Sequence, residues 1–220
     1  MRIIEAFDLY RFYHIGEEET LALRGVSLYV EAGEIVTVIG PSGSGKSTLL
    51  NCLVGLDEPD GGHVKLMGKR LTRRPEAERA AMRAAQIGIL LQSRNLFEHL
   101  SVNDNMCLQM RLARKFDKQR LSKLIDQVSL HDRRYALPSQ LSGGEAARAA
   151  LAVALSTEPK VLLADEPTGE VDAETEKQIL DLLEVRRRDG GATLIATHSD
   201  VLAAHADRIV RLLDGRVINA

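Results

Sequence analysis

The 220-residue chain has only two cysteines, Cys52 and Cys107, in no metal-ligand spacing. That usage argues against a disulfide-stapled scaffold and fits a reducing compartment. Cys52 sits in an apolar run at helical spacing, where a small buried residue is expected. Long apolar runs are also lacking, since none approaches the roughly 18 residues that cross a bilayer. The start, Met1-Arg-Ile-Ile-Glu-Ala, is interrupted by Glu5 and Asp8 and does not read as a secretory leader. No charge of one sign dominates. The formal net charge is -2, which favours neither a bulk nucleic-acid binder nor a basic membrane-surface protein. These absences predict a soluble, cytoplasmic protein with no direct nucleic-acid partner and no direct membrane insertion. Any membrane connection would come through a partner.

What the chain does have is material for a core, with 45% hydrophobic residues, enough for one large α/β domain or two small lobes. It also has one dense glycine loop. Gly40 to Thr48 reads Gly-Pro-Ser-Gly-Ser-Gly-Lys-Ser-Thr and fits the phosphate-loop pattern through Gly40, Gly45, Lys46 and Ser47. Glycines let the backbone curl so that its N–H groups point at phosphate oxygens. The loop then opens a helix, whose N-terminus favours anions. Lys46 adds a full charge for the β- and γ-phosphates, and the Ser47 hydroxyl is a Mg²⁺ ligand type. Context supports the match: Glu34–Ile39 reads as a buried strand, and Thr48 to Val54 carries apolar residues at helical spacing, with Gly55 placed to end the helix.

Residues 1 to 33 are expected to form short strands, with a turn at Gly16-Glu-Glu-Glu. Asp57-Glu-Pro-Asp-Gly-Gly is a dense turn signal, followed by a short strand at His63–Met67. Arg73–Ala85 reads as a surface helix with a solvated basic face, because Glu76 and Glu78 are interspersed. Ile87–Leu91 is a buried strand ending at Gln92. Leu121, Leu124, Ile125 and Val128 form one helical face. Strands resume at Lys160–Ala164 and Thr193–Thr197, and Arg208–Val217 reads as a hairpin around Asp214-Gly215. The expected fold is α/β, with a mostly parallel sheet whose site lies at the strands' C-terminal ends. A helical segment of about 93–155 is inserted into a core of about 1–92 and 156–220.

Four residues end predicted strands and can converge on the loop. Asp165 offers the carboxylate that holds Mg²⁺ in phosphate-loop enzymes. Glu166 can polarise an attacking water, His198 can donate to the γ-phosphate, and the Gln92 amide can reach metal and water. A fifth stretch, Leu141-Ser-Gly-Gly-Glu, opens a nearly uncharged helical run. Ser142 as an N-cap is its plain reading. A second anion site made by Ser142, Gly143, Gly144 and the helix N-terminus is the sharper one. Because the phosphate loop already fills this chain's own site, that second site would serve the nucleotide of another copy. Tyr10, Phe12 and Tyr13 are ordinary strand aromatics by propensity, although one can stack on a nucleobase.

In these motifs the chain resembles the ATP-binding subunit of an ABC (ATP-binding cassette) transporter over essentially its whole length. The resemblance covers the Walker A loop Gly40–Thr48 with Ser42, Gly43 and Ser44, the Q-loop Gln92, and the signature Leu141–Glu145. It continues through Walker B at Val161–Asp165, catalytic Glu166, the D-loop Thr168–Asp172 and the switch residue His198. It implies a phosphate-loop core with an N-terminal antiparallel β subdomain and an inserted helical subdomain. It selects Tyr13 for adenine stacking. It implies ATP and Mg²⁺ as ligands, with Ser47 and Gln92 on the metal and Asp165 in support. It also implies an ATP-dependent head-to-tail homodimer and a separate transmembrane permease, to which Ser93–Met106 would pass the motion. The location implied is the cytoplasmic face of the inner membrane. Arg83–Gln92 and Asn95–Asn105 resemble the lipoprotein-release, macrolide-export and cell-division subgroup. The rivals are a soluble ABC ATPase acting on ribosomes or DNA, and an ATP-dependent clamp that binds a membrane partner without transport. Two departures stand out. Glu145 occupies a place where glutamine is common, so its carboxylate would repel a second nucleotide unless it points away. The D-loop has Glu170-Val171 where Asn-Leu is familiar.

Overall fold

The computed structural model describes residues 1–15, 18–93, 95–169 and 171–219. Two long antiparallel strands, β1 (Arg2–Ile15) and β2 (Glu18–Glu31), open the chain. They replace the short strands expected from the sequence. Register shifts between Ala6 and Leu9 and at three further points break the simple alternation, so a continuous strand reads as fragments. Glu18 and Glu19, expected in a turn, belong to β2, while Gly16 and Glu17 lie outside the described residues.

Strand β3 (Ile35–Ile39) leads into helix α1 (Lys46–Val54), which Gly55 closes in the left-handed conformation. Strands β4 (Gly61–Leu66) and β5 (Lys69–Arg70) complete a four-stranded antiparallel sheet in the order β2-β1-β4-β5. Helix α2 (Glu76–Gln86) starts three residues later than Arg73, with Pro75 as its N-cap, and buries no residue fully. The expected solvated basic face is only partly realised, because Arg79 and Arg83 are largely covered and pair with Glu58, Glu76 and the Gly55 carbonyl.

Among the described residues, β6 (Ile87–Leu90) is followed by helices alone, α3 (Val102–Leu112), α4 (Lys118–Gln127) and α5 (Gly143–Leu155), with two short 3₁₀ turns. The alternation then resumes with β7 (Val161–Asp165), α6 (Ala173–Arg188), β8 (Ala192–Thr197) and α7 (Asp200–Ala204). The hairpin β9 (Arg208–Leu213) and β10 (Arg216–Asn219) ends the described chain. The second sheet has the order β10-β9-β3-β8-β7-β6. All its pairings are parallel except that of β10 with β9. The α/β reading therefore holds, with an antiparallel edge.

Each face of this sheet has its own core. On one side Val36, Val38, Leu163 and Leu194 pack with α1 residues Leu49 and Leu53 and with the antiparallel sheet. On the other, Ile35, Leu162, Ala164 and Ile195 pack with Met106, Ile125, Leu151 and Ile179 from the helices. Neighbours such as Leu162 and Leu163 point to opposite faces because a strand alternates. On α4, Leu121, Leu124 and Ile125 are buried, each contributing about 1.5–3 kcal/mol relative to exposure. The central strands β3, β7 and β8 are covered on both faces, whereas β9 alternates buried and exposed residues at the sheet's edge. The parallel strands β3, β6, β7 and β8 direct Gly40, Gln92, Asp165 and His198 to one end.

Candidate functional site

The loop after β3 turns on Gly45, which has φ 102°. A Cβ there would lie 2.5 Å from the Ala22 carbonyl oxygen of β2, so only glycine fits this turn. The loop forms one wall of an open cleft of about 840 Å³. Tyr13, Lys46, Ser47, Thr48, Gln92, Asp165, Glu166 and His198 all line it. The Lys46 ammonium donates to the carbonyls of Gly40 (2.6 Å) and Pro41 (3.1 Å), which ties its charge to the loop.

Ser47 Oγ donates to Asp165 Oδ2 at 2.7 Å, across 118 residues of sequence. The contact follows from topology: α1 starts at the end of β3, and Asp165 ends β7, which is separated from β3 by β8 alone. Asp165 is buried. Glu166 follows with φ 50°, an unusual backbone state for a glutamate. Its amide is fixed by the Ala196 carbonyl at 2.8 Å. Its carboxylate is held on both oxygens. Thr197 Oγ1 donates to Oε2 at 2.7 Å, and His198 Nδ1 lies 2.7 Å from Oε1. The Glu166 side chain is 12% exposed and that of His198 76%, so the carboxylate is largely covered while the ring that contacts it faces solvent.

The segment Ser142–Glu145 lies elsewhere. None of its four residues lines the phosphate-loop cleft, and Gly143 borders a neighbouring cleft of about 580 Å³. Ser142 is the N-cap of α5 and accepts from the Glu145 amide, while Glu145 accepts from the Ser142 amide. Arg133 Nε reaches Glu145 Oε1 at 3.2 Å. The backbone hydrogen bond from Ser142, with Arg133 beside it, holds the Glu145 carboxyl below its usual range. The carboxylate is thus turned back onto its own helix. A Cβ on Gly144 would lie 2.5 Å from Thr175 Oγ1. Thr175 also accepts from Arg148 and bonds Asp172, the N-cap of α6.

The sequence pattern of the ABC transporter family matches residues 23–169. The lipoprotein-releasing system ATP-binding protein LolD of Hydrogenovibrio crunogenus is 40% identical, over 98% of this chain and 96% of its own. The chain belongs to the ABC transporter family. The macrolide export ATP-binding/permease protein MacB of Chlorobium luteolum is 40% identical over 99% of this cassette, which spans 33% of that longer protein. Among solved structures, the dimeric post-hydrolysis state of the ATP-binding cassette MJ0796, bound to ADP and Pi, superposes with a TM-score of 0.93. It is 32% identical over 99% of this chain and 97% of its own. The cassette is therefore an ABC ATPase, and LolD and MacB are among the relatives it resembles at about 40% identity over its full length.

In this cassette the residues singled out from sequence fall into two groups. Tyr13, the loop apart from buried Ser44, Gln92, Asp165, Glu166 and His198 share one cleft, while Ser142–Glu145 do not line it and Gly143 borders an adjoining cleft that Gln92, Glu166 and His198 also line. Sequence reasoning missed Thr197, which anchors Glu166, although it directly precedes His198. It missed Arg133, whose pairing with Glu145 crosses 12 residues with no helical spacing to reveal it. It also missed Asp57, which accepts from the Tyr13 hydroxyl at 2.6 Å.

Proposed function

We propose that two copies of this cassette close head to tail over two ATP molecules and that the closure drives a separate transmembrane permease. The observation that carries this reading is the separation of the two groups. One cleft gathers the phosphate loop, Asp165, Glu166 and His198, while the helix end at Ser142–Gly144, read as an anion site, does not line it; Gly143 opens instead on the adjoining cleft, beside Gln92, Glu166 and His198. A second copy supplies what one copy keeps apart.

The donors fit Mg²⁺. Ser47 Oγ and Asp165 Oδ2 are adjacent oxygens, and Gln92 shares the cleft. A small hard cation that keeps several waters takes one or two such groups plus phosphates. When bound, the ion neutralises phosphate charge. Lys46 and the loop amides hold the phosphates, and Tyr13 takes the adenine. Glu166 accepts a proton from the attacking water, and His198, moving from Glu166, donates to the γ-phosphate. Ser142, Gly143 and Gly144 close the partner's site. ATP binds the closed dimer preferentially and hydrolysis removes that preference, so the cycle is a population shift.

The permease would dock on the 93–155 lobe. There Phe97 and Leu112 are 64% exposed and, with Leu91, line a groove of about 310 Å³. The likeness to LolD and MacB supports a place at the cytoplasmic face of the inner membrane, in a system of the lipoprotein-release or macrolide-export class. The test is affinity capture of the Glu166→Gln variant from detergent-solubilised native membranes with ATP and Mg²⁺. A stoichiometric polytopic membrane protein is the expected result. Ribosomes or DNA-repair factors with no membrane protein would overturn the permease reading in favour of a soluble ABC ATPase.

A further inference from the structure

We propose that Asp57 and Arg11 are positioning residues that set the Tyr13 ring as a preformed platform for a purine base. This rests on the reading of Tyr13 as the adenine-stacking residue.

The Tyr13 hydroxyl donates to Asp57 Oδ2 at 2.6 Å. The same carboxylate grips Arg11 with both oxygens, Oδ2 accepting from Nε at 2.9 Å and Oδ1 lying 2.8 Å from Nη2. The Arg11 guanidinium in turn lies over the Tyr13 ring, 4.7 Å from its centroid. Tyr13 lines the phosphate-loop cleft and Arg11 does not. The guanidinium therefore backs the ring on the side away from the ligand and leaves the other for stacking. Asp60 completes the brace, accepting from Arg11 Nη1 at 3.0 Å and from the Phe12 amide at 2.8 Å.

The brace is tied to the phosphate loop. The Asp57 amide donates to the Asn51 carbonyl in the last turn of α1, at 3.1 Å. One short path of hydrogen bonds thus runs from the helix that follows the phosphate loop, through the turn at 57–60, to the ring. It fixes the spacing between base platform and phosphate cradle. Burial and the bond to Asp57 push the Tyr13 hydroxyl above its ordinary pKa. A side chain held in its bound rotamer loses less freedom on binding, which is where the affinity gain arises.

The experiment compares two ligands that share phosphates and differ in the base, ADP and inorganic pyrophosphate, by titration calorimetry on the full chain. Asp57→Ala is expected to weaken ADP binding about tenfold, part of the value of one base stacked on an aromatic ring, and to leave pyrophosphate unchanged. Tyr13→Phe and Asp57→Asn, milder variants that preserve the ring and the turn, should give a smaller loss with the same selectivity. Adding Asp57→Ala to Tyr13→Ala should cost nothing further. Equal weakening of pyrophosphate and ADP, or unchanged ADP affinity in Asp57→Ala, overturns the brace. Unchanged ADP affinity in Tyr13→Ala overturns the brace and the stacking assignment together.

Discussion

Glu145 accepts the amide of Ser142 at 2.8 Å, and Ser142 Oγ accepts the amide of Glu145 at 3.2 Å. This reciprocal pair is a capping box, in which a glutamate three residues inside a helix satisfies the N-cap amide. It resolves the difficulty posed by a carboxylate in the signature segment. The charge is spent on its own helix end and on Arg133 rather than presented to an incoming phosphate. Glu145→Gln should retain most of the cap and leave thermal stability nearly unchanged. Glu145→Ala should lower the melting temperature, because it removes a partner from the Ser142 amide. Differential scanning calorimetry on both variants checks this order.

Glu166→Gln tests the chemical step. The amide keeps the size and the bond from Thr197 but cannot take a proton. Turnover should fall by about 10²–10⁴, the usual worth of a general base, with ATP affinity retained. Size-exclusion chromatography with ATP and Mg²⁺ should then show a persistent dimer. Normal turnover in this variant would remove Glu166 from its assigned role.

Thr197→Val is the subtler test. The side chain is buried at the end of β8, and valine fills nearly the same space without the donor. Glu166 Oε2 then keeps only the longer bond from the His198 amide, at 3.4 Å. A bond to a charged group contributes about 1.5 kcal/mol at the low end, so kcat should drop about tenfold. KM for ATP should stay the same, because Thr197 does not line the cleft.

Asp60 carries a pH prediction. Its bond from the Phe12 amide, aided by Arg11, holds its carboxyl below the ordinary value. A depressed folded-state pKa means stability that is fully present above the unfolded pKa of about 3.9 and is lost as pH falls through the lower folded value. Asp60→Ala should therefore melt earlier than the parent at pH 7. The gap should close as the pH falls below about 4, which a series of thermal melts across that range would reveal.

Much of this architecture was legible in the chain because the chemistry tolerates few residue types. Gly45 is dictated by backbone crowding against Ala22, and Lys46 and Ser47 by the charge and oxygen a phosphate loop needs. Asp165, Glu166 and His198 were found because each follows an apolar run, and parallel strands bring their ends together. Ser142 was legible as a cap. What stayed hidden was the partner of each group. Asp57 meets Tyr13 across 44 residues, a contact set by how β1 lies over the turn after α1, and no local pattern encodes it. The length of β1 was hidden by its bulges. The direction of the Glu145 carboxylate depended on Arg133, whose place is fixed by a 3₁₀ turn rather than by helical spacing.

Gly144 separates packing from function. Its missing side chain makes room for Thr175, whose hydroxyl would stand 2.5 Å from any Cβ placed there. Thr175 is buried and shares bonds with Arg148 and Asp172, so it has little room to retreat. Gly144→Ala should therefore lower stability even in the isolated chain, and it should also block the backbone approach that an anion needs at this helix end. The double variant Gly144→Ala, Thr175→Ala relieves the collision but not the block. Its melting temperature should recover in part, while ATP-dependent dimerisation in the Glu166→Gln background stays impaired. Recovery of both would mean that Gly144 serves packing alone, and the Ser142–Gly144 segment would then lose its place opposite a second nucleotide.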